Sequence, residues 1–171
     1  MLVVFGGLPG TGKTTLSTLI ARTLRASYVR VDAVEVGLIA AGLVPDQAGI
    51  GPAGYVVANR LAESCLRADL DVIVDAVNPV ELARQGWREL AASMGVELFF
   101  VEVVCSDPRR HRRQVEQRRS DLAGCEVPDW QAVVGREYEP WQGDRLVVDN
   151  IGDPEIHAAD IIRHLSRQPR R

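Results

Sequence analysis

The sequence predicts an α/β fold: a three-layer sandwich in which a mostly parallel five-stranded sheet carries helices on both faces. Short apolar runs alternate with amphipathic segments of helical period along the 171 residues, and this alternation is typical of βαβ units. The runs are almost continuously apolar, as in Phe99-Phe100-Val101, which is typical of strands buried on both faces. The length suits one domain, so we predict a single domain over residues 1–171.

Each predicted strand is an apolar run, rich in β-branched or aromatic residues, that is followed by a turn residue or an aspartate. The five runs are residues 2–5, 28–31, 72–74, 98–104 and 146–148. Ligands of parallel sheets bind beyond the carboxyl ends of the strands. Gly6-Gly7, Asp32 and Asp75 directly follow the first three runs, so we expect a site at that edge of the sheet.

The segments between the strands show the 3.6-residue period of amphipathic helices. Predicted helices cover residues 12–25, 34–41, 53–68, 80–94, 108–119, 130–138 and 154–167. Gly42 and Gly95 are expected to end two of them. The buried face of the third helix is predicted to be Tyr55, Val56, Leu61, Ala62, Cys65 and Leu66. Residues 44–52 are predicted to form a loop, and residues 168–171 a frayed end.

Composition excludes several classes of protein. A formal net charge of −3 argues against broad, non-specific nucleic-acid binding, which needs a basic footprint. The three cysteines are odd in number and match neither a zinc site nor a CxxC pair, which indicates reduced thiols. The first residues resemble neither a signal peptide nor a membrane span, so we expect a cytoplasmic protein.

Residues 7–14 match the pattern G-x-x-x-x-G-K-[ST] without deviation, between a predicted strand and a predicted helix. Glycines let the backbone approach phosphate oxygens closely, and the following helix adds its positive amino end. We expect Lys13 to reach the β- and γ-phosphates of ATP and the Thr14 hydroxyl to bind Mg²⁺. The residues assigned to the nucleotide here are Leu8, Pro9, Gly10, Thr11, Gly12, Lys13, Thr14 and Thr15. The alternative is a plain Gly/Pro turn.

Lys13 is the only lysine in the chain, beside 19 arginines. A compact ammonium group on a flexible stem differs from a planar guanidinium in size and reach. A lysine retained in a chain that otherwise uses arginine therefore indicates a position where arginine does not serve. This supports the interpretation of residues 7–14 as a phosphate-binding loop.

Asp32 is the candidate general base. At the end of the second predicted strand, a carboxylate faces the γ-phosphate from the acceptor side and can take the proton of an attacking hydroxyl. The alternative is an N-cap of the next helix, and the two roles are compatible. Glu35, one turn further along, is the fallback base, and we assign both residues to the acceptor substrate.

Asp75 follows three apolar residues, as a Walker B aspartate does, and is a candidate for Mg²⁺ or for the acceptor. A cap or turn role is the alternative. Asn78, three residues further on, is a candidate to hydrogen-bond the substrate. For Asn78 a turn role together with Pro79 fits equally well.

Six arginines lie within residues 109–119, more than a plain solvated helix face needs. Arginines neutralise the charge of transferring and leaving phosphates, so we predict a lid over the nucleotide, at about residues 106–143. Arg112, Arg113 and Arg118 are the candidate catalytic arginines, and Arg109 is assigned to the nucleotide. A solvated basic helix is the alternative. Trp130, Tyr138 and Trp141 are interpreted as packing residues of this region rather than as ligand-stacking residues.

A resemblance to a known family rests on residues 7–15, 28–32, 72–78, 109–119 and 138–149. On these segments the whole chain resembles the small AAA-type ATP-binding kinases grouped near the zeta toxins and the polynucleotide 5′-kinases. The resemblance implies a P-loop fold like that of nucleoside and shikimate kinases. It also implies a hydroxyl activated by Asp32, lid arginines on the ATP phosphates, and adenine near Asp149 and Asn150.

The chain departs from that family in one place. Related kinases often carry an arginine about three residues after the aspartate that matches Asp32, where it binds an acceptor phosphate. Here the position holds Glu35. This favours a neutral or cationic small molecule with a hydroxyl group over a phosphorylated or polynucleotide acceptor.

We therefore expect an ATP-dependent phosphotransferase that moves the γ-phosphate of Mg-ATP to a hydroxyl of a small molecule. The alternatives are a kinase of nucleic-acid 5′-hydroxyls, a nucleotide-sugar kinase like the zeta toxins, and a non-catalytic ATP-binding regulatory module. A switch GTPase is excluded, because the guanine motif N-K-x-D needs a second lysine and residues 75–78 lack the glycine of D-x-x-G.

Overall fold

The computed structural model describes residues 1–167 and has a five-stranded sheet at its centre. The predicted frayed end at residues 168–171 lies outside the described residues. The strands are β1 (Leu2–Gly6), β2 (Ser27–Arg30), β3 (Val72–Asp75), β4 (Leu98–Val104) and β5 (Leu146–Asp149). Their order is β2-β3-β1-β4-β5, and each neighbouring pair is parallel. The predicted, mostly parallel sheet is thus parallel throughout.

Helices cover both faces of this sheet. They are α1 (Lys13–Leu24), α2 (Val31–Ala40), α3 (Ala53–Arg67), α4 (Glu81–Met94), α5 (Pro108–Gln117), α6 (Trp130–Val134) and α7 (Pro154–Ser166). Side chains of β1 alternate between the faces: Leu2 and Val4 join the core under α3 and α4, whereas Val3 and Phe5 join the core under α1 and α7. The predicted three-layer sandwich is confirmed. Within residues 1–167, no helix has the length and apolar character that crossing a membrane requires.

The boundary between β2 and α2 differs from the prediction. The strand ends at Arg30 and the helix begins at Val31, so Asp32 lies in the first helical turn rather than at the end of a strand. Arg30 occupies the N-cap position of α2, so the N-cap role considered for Asp32 is wrong. Strand and helix follow each other without a loop, so the apolar pattern carries no mark of the boundary. A carboxylate in the first turn stabilises the positive end of the helix.

Two other helices also differ from their predictions. In α3, Val56 and Leu61 are 57% and 47% exposed, and the buried stripe instead runs through Gly54, Ala58, Ala62 and Leu66. Small residues at i, i+4 spacing let α3 approach the sheet closely. The helix predicted over residues 130–138 ends at Val134, and residues 137–142 belong to neither a helix nor a strand.

A buried arginine, Arg84, joins residues 139–140 to the loop after β3. The Arg84 side chain has no exposed surface, and it donates to four main-chain carbonyls at 2.7–3.1 Å, those of Asn78, Pro79, Glu139 and Pro140. Its guanidinium also lies 4.2 Å from the centroid of the Trp141 ring. Trp141 in turn packs edge-to-face on Phe100, with 5.3 Å between ring centroids, which confirms its predicted packing role.

We expect Arg84→Ala to lower the free energy of unfolding by about 3 kcal/mol, because it leaves several buried carbonyls without a donor. Urea denaturation followed by circular dichroism measures this. The matched control is Arg60→Ala, since Arg60 is 76% exposed and pairs with Glu63 on the same helix. The control is expected to change the stability by less than about 0.5 kcal/mol. Equal effects of the two substitutions would contradict the clamp role.

Candidate active site

The loop at residues 7–14, from here on the P-loop, is shaped by glycines where other residues do not fit. Gly12, directly before α1, has φ of 89°, and a Cβ there would lie 2.0 Å from Nδ2 of Asn150. Gly7 has φ of 139°, and its Cβ would lie 2.3 Å from the Val103 carbonyl oxygen. Positive φ combined with such close approach leaves only glycine. The conformation expected from the motif is therefore built into the backbone.

Hydrogen bonds from neighbouring segments hold the carbonyl groups of the P-loop. Asn150 Nδ2 donates to the Thr11 carbonyl at 2.9 Å, and His111 Nε2 lies 2.8 Å from the Pro9 carbonyl. The Thr11 hydroxyl donates to the Leu8 carbonyl at 2.9 Å. The N–H groups of Gly7 and Thr11 donate to the Val77 and Leu8 carbonyls, so the N–H groups that can bind a ligand are those near the start of α1.

The amino end of α1 provides those N–H groups. The first N–H groups of a helix have no acceptor inside it, and no side chain of residues 1–167 caps α1. Uncapped N–H groups at the positive end of a helix form an anion site. The cradle thus fits the phosphate chain of a nucleotide.

Lys13 begins α1 and is only 4% exposed. Burial lowers the pKa of its ammonium group, whereas the negative charges of Asp75 and Asp32 act in the opposite direction. The lysine therefore lies where an anion lowers its energy, next to the uncapped helix end. This is the position in which it can hold nucleotide phosphates.

Asp75 lies at the end of β3, with 2% of its surface exposed. Its Oδ2 accepts a hydrogen bond from the Tyr28 hydroxyl at 2.8 Å, while its Oδ1 is buried and has no hydrogen-bond partner among the described residues. A buried oxygen without a donor suits a cation or a water bound to one. Together with the Thr14 hydroxyl, which lines the cleft beside the P-loop, it fits the protein's share of a Mg²⁺ site.

Asp32 lies between two cations from different parts of the chain. Its Oδ2 is 3.7 Å from Nη2 of Arg30 and 3.9 Å from Nη2 of Arg118. Its side chain is 26% exposed, so an acceptor can reach it. The candidate base, the candidate metal ligand and the P-loop meet at the predicted edge of the sheet.

Asn78 does not belong to this site, and its predicted contact with the substrate is wrong. The residue is fully buried, with a left-handed φ of 51°. Its Nδ2 donates to the Phe5 carbonyl at 2.8 Å, and its Oδ1 accepts from Nε1 of Trp87 at 2.9 Å. Its side chain thus fixes the turn after β3, which is the alternative considered from the sequence.

The lid arginines are also reassigned, because α5 turns most of them away from the P-loop. The face of α5 that carries His111 and Val115 is buried against the P-loop. Arg109, Arg112 and Arg113 are exposed, and Arg112 pairs with Glu116 on the same helix at 2.7 Å. None of the three lines the P-loop cleft.

The lid arginines that line that cleft are instead Arg118 and Arg119, which follow the end of α5. The cleft has a volume of about 420 Å³ and is lined by Gly10, Gly12, Lys13, Thr14, Thr15, Arg30, Gln114, Gln117, Arg118, Arg119 and Asp121. Arg118 was among the predicted residues, and it is the one that reaches Asp32. The run of arginines marks this segment as basic. The rotation of α5 about its axis then decides which of these arginines point towards the cleft.

Asp149 and Asn150 both brace segments that border the P-loop. The Asp149 carboxylate accepts from the main-chain N–H of Ser106 at 3.0 Å and from its hydroxyl at 2.5 Å, which fixes the entry to α5. Asn150 holds Thr11, as described above. Their contact with adenine stays a prediction.

Sequence reasoning missed Arg30, which is the last residue of β2 and lines the P-loop cleft. Its side chain is 6% exposed, and Nη1 donates to Oδ2 of Asp121 at 2.7 Å. Burial alone would lower the pKa of Arg30, but the hydrogen bond to Asp121 and the charges of Asp32 and Asp75 raise it overall. The sequence feature that could have identified Arg30 is its position as a charged residue within the otherwise apolar run of residues 28–31.

Glu35 lies on α2, over the start of α3. A Cβ at Gly54 would be 2.5 Å from Cγ of Glu35, so the glycine makes room for this side chain. Burial, and then the negative charge of Asp32, raise the pKa of Glu35 to about 7. A second cleft, of about 920 Å³, lies between α3 and α4, and neither Asp32 nor Glu35 lines it.

Known proteins share this fold. Mycobacterium tuberculosis APS kinase, solved with AMPPNP and APS, matches with a TM-score of 0.66 and 20% identity over 96% of each chain. A gluconokinase from Sinorhizobium meliloti 1021 matches with a TM-score of 0.68 and 17% identity, over 96% of this chain and 91% of the other. A sugar kinase from a Janibacter species matches with a TM-score of 0.69 and 18% identity, over 98% and 95%. These likenesses show the fold, which is that of the small P-loop kinases.

Curated proteins provide no match to the chain, but a family model does. The model of an AAA domain matches residues 2–134, which covers the P-loop, both candidate carboxylates and the lid helix α5. This confirms the resemblance to AAA-type proteins drawn from the motifs. The chain belongs to the AAA domain family and has the fold of the small P-loop kinases.

Proposed function

We propose that the protein transfers the γ-phosphate of Mg-ATP to a hydroxyl group of a small-molecule acceptor. The observation that carries this proposal is the meeting of three groups at one edge of the sheet. They are an uncapped glycine cradle with the buried Lys13, a buried carboxylate oxygen of Asp75 without a donor, and the accessible carboxylate of Asp32. Phosphoryl transfer needs this combination of phosphate cradle, metal ligand and base.

Each residue has a defined part in the proposed reaction. The N–H groups of the P-loop and Lys13 bind the phosphates and compensate the charge that develops on the leaving ADP. Arg118 reaches the same cleft from the lid. Thr14 and Asp75 hold the Mg²⁺, which, when bound, neutralises charge on the phosphate oxygens.

Asp32 is proposed as the base of the transfer. The acceptor hydroxyl gives its proton to the Asp32 carboxylate while its oxygen forms a bond to the γ-phosphorus, and the bond from that phosphorus to ADP breaks. Arg30 and Arg118, both within 4 Å of Asp32 Oδ2, restrict where the carboxylate lies. Orienting the attacking oxygen is the larger part of such catalysis, because the transition state is loose.

The acceptor is proposed to be neutral or cationic rather than phosphorylated. In this proposal the Asp32 carboxylate faces the acceptor, and Glu35 adds a second negative charge as the pH rises above about 7. These charges repel an anionic acceptor. The three structural neighbours are by name an APS kinase, a gluconokinase and a sugar kinase, and these names support a small molecule as acceptor. ATP consumption, followed against panels of polyols, sugars, nucleosides and amino alcohols, tests the proposal directly.

We expect Lys13→Ala to abolish binding of Mg-ATP and ATP turnover while the fold is kept, because the cradle loses its buried cation. Isothermal titration calorimetry measures the binding, and circular dichroism checks the fold. Arg22→Ala, an exposed position on the same helix, is the control and is expected to bind as the wild type does. Binding by Lys13→Ala at wild-type affinity would overturn the phosphate-binding role.

We expect Asp32→Asn to bind Mg-ATP within about threefold of the wild type but to lose a factor of roughly 10² or more in the rate of transfer. The amide keeps the shape of the side chain but takes no proton. The measurement compares calorimetric affinity with the rate of ADP formation at saturating ATP and acceptor. Transfer at the wild-type rate would show that Asp32 is not the base.

The raised pKa of Glu35 predicts a pH dependence of stability. The folded protein holds the proton of Glu35 up to about pH 7, whereas the unfolded chain releases it near 4.5, so the contribution of this group to stability falls as the pH rises between these values. Glu35→Gln does not ionise, so its melting temperature is expected to exceed that of the wild type at pH 8, by a margin that shrinks towards pH 5. Glu116→Gln, at an exposed position, is the control. A margin that is constant with pH would contradict the burial of an ionised Glu35.

A further inference from the structure

Arg30 lies among three carboxylates that come from three different segments. Its Nη1 donates to Asp121 at 2.7 Å, its Nη2 is 3.7 Å from Asp32, and its Nε is 3.9 Å from Asp75. Arg30 and Asp75 are also register partners in the pairing of β2 with β3. One guanidinium thus faces the candidate base, the candidate metal ligand and the lid.

The hydrogen bonding of Arg30 is incomplete although the side chain is buried. Nε and Nη2 have no hydrogen-bond partner among residues 1–167, and the distances to Asp75 and Asp32 exceed those of hydrogen bonds. Arg84 is buried as well, but each of its three guanidinium nitrogens donates to a carbonyl. Leaving buried donors unpaired costs free energy, and groups that do so cluster at functional sites. Arg84 is a scaffold residue by this criterion, and Arg30 is not.

The lid segment at residues 118–121 is tied to the sheet by two reciprocal ion pairs. Arg30 of the sheet pairs with Asp121 of the lid, and Arg118 of the lid faces Asp32 beside the sheet. Asp121 itself is 67% exposed, so its position depends on this contact rather than on burial. A movement of this segment would therefore lengthen both ion pairs, the one between Arg30 and Asp121 and the one between Arg118 and Asp32.

We infer that Arg30 is a positioning residue that couples the lid to the two catalytic carboxylates. With Asp121 on Nη1, the planar guanidinium is held so that its other two nitrogens restrain Asp32 and Asp75 for transfer. A lysine ammonium is a point charge and cannot face three carboxylates in fixed directions. This inference rests on the proposed function, since it assigns Arg30 a part in the same reaction.

The first test measures how fast the lid releases nucleotide. The probe is the fluorescent N-methylanthraniloyl derivative of ATP with Mg²⁺, and stopped-flow displacement by unlabelled ATP gives its release rate. We expect Asp121→Asn to release the probe about tenfold faster than the wild type, because loss of a charge-pair partner acts mainly on dissociation. The matched control is Asp160→Asn on α7, because Asp160 is similarly exposed, at 56%, and pairs with Arg163 at 2.8 Å. The control is expected to release the probe at the wild-type rate.

The second test asks whether Arg30 and Asp121 act together and at the chemical step. Arg30→Lys is expected to release the probe faster, and the double variant no faster than the faster single variant, since coupled residues are not additive. At saturating ATP, Arg30→Lys is expected to consume ATP roughly tenfold or more slowly than Asp121→Asn, because it also loosens Asp32 and Asp75. A purely structural role would instead lower the melting temperature and change binding and turnover in parallel.

The outcomes separate this inference from the proposed function. If the wild type does not bind the probe, or Lys13→Ala binds it equally well, the proposed function fails. If Lys13→Ala loses binding while Asp121→Asn releases the probe at the rate of Asp160→Asn, only the coupling by Arg30 is overturned. Additive release rates in the double variant overturn it as well. Asp121 is a surface residue, so the test stands even where Arg30→Lys folds poorly.

Discussion

The rest of the site depends on a buried positive charge at the amino end of α1. Lys13 is almost completely enclosed, and it lies where the uncapped end of the helix is itself positive. Asp75 and Asp32 offset this charge only in part, because burial still lowers the pKa of the ammonium group. In the proposed function, the phosphates of the nucleotide supply the negative charge that this buried ammonium group and helix end attract.

The order of the strands explains how groups so distant in sequence come together. β1 is central, between β3 and β4, and the register pairs Phe5, next to the P-loop, with Asp75. β2 flanks β3, so Arg30 lies beside Asp75, and α2 begins at the same edge with Asp32. The lid leaves from β4 on the other side of β1 and returns across the P-loop to Asp121. The candidate site therefore lies at the carboxyl ends of β1, β2 and β3, which is where parallel sheets bind ligands.

The features that sequence predicted well are those set by local chemistry. A glycine cradle is encoded in eight consecutive residues, and Asp75 follows an apolar strand that is buried on both faces. Asn78 was misjudged because its hydrogen bonds reach Phe5, 73 positions away, and Trp87. The lid arginines were misjudged because α5 is basic almost all round, and only His111 and Val115 mark the face that packs on the P-loop. Arg30 was missed because its partner Asp121 is 91 positions away.

The two buried arginines show which property separates scaffold from machinery in this protein. Arg84 and Arg30 are both buried arginines, and both lie beside the carboxyl ends of strands. Arg84 donates to four main-chain carbonyls and has the Glu81 carboxylate 3.4 Å from its Nη1. Main-chain carbonyls cannot change charge or leave, so these four contacts keep one arrangement. Arg30 is surrounded by the carboxylates of Asp32, Asp75 and Asp121, which are the proposed base, the proposed metal ligand and a residue of the proposed lid. A guanidinium whose nitrogens all donate hydrogen bonds is held in one arrangement. Arg30 has two nitrogens without a hydrogen-bond partner among residues 1–167, which suits it to the proposed coupling between the lid and the two carboxylates.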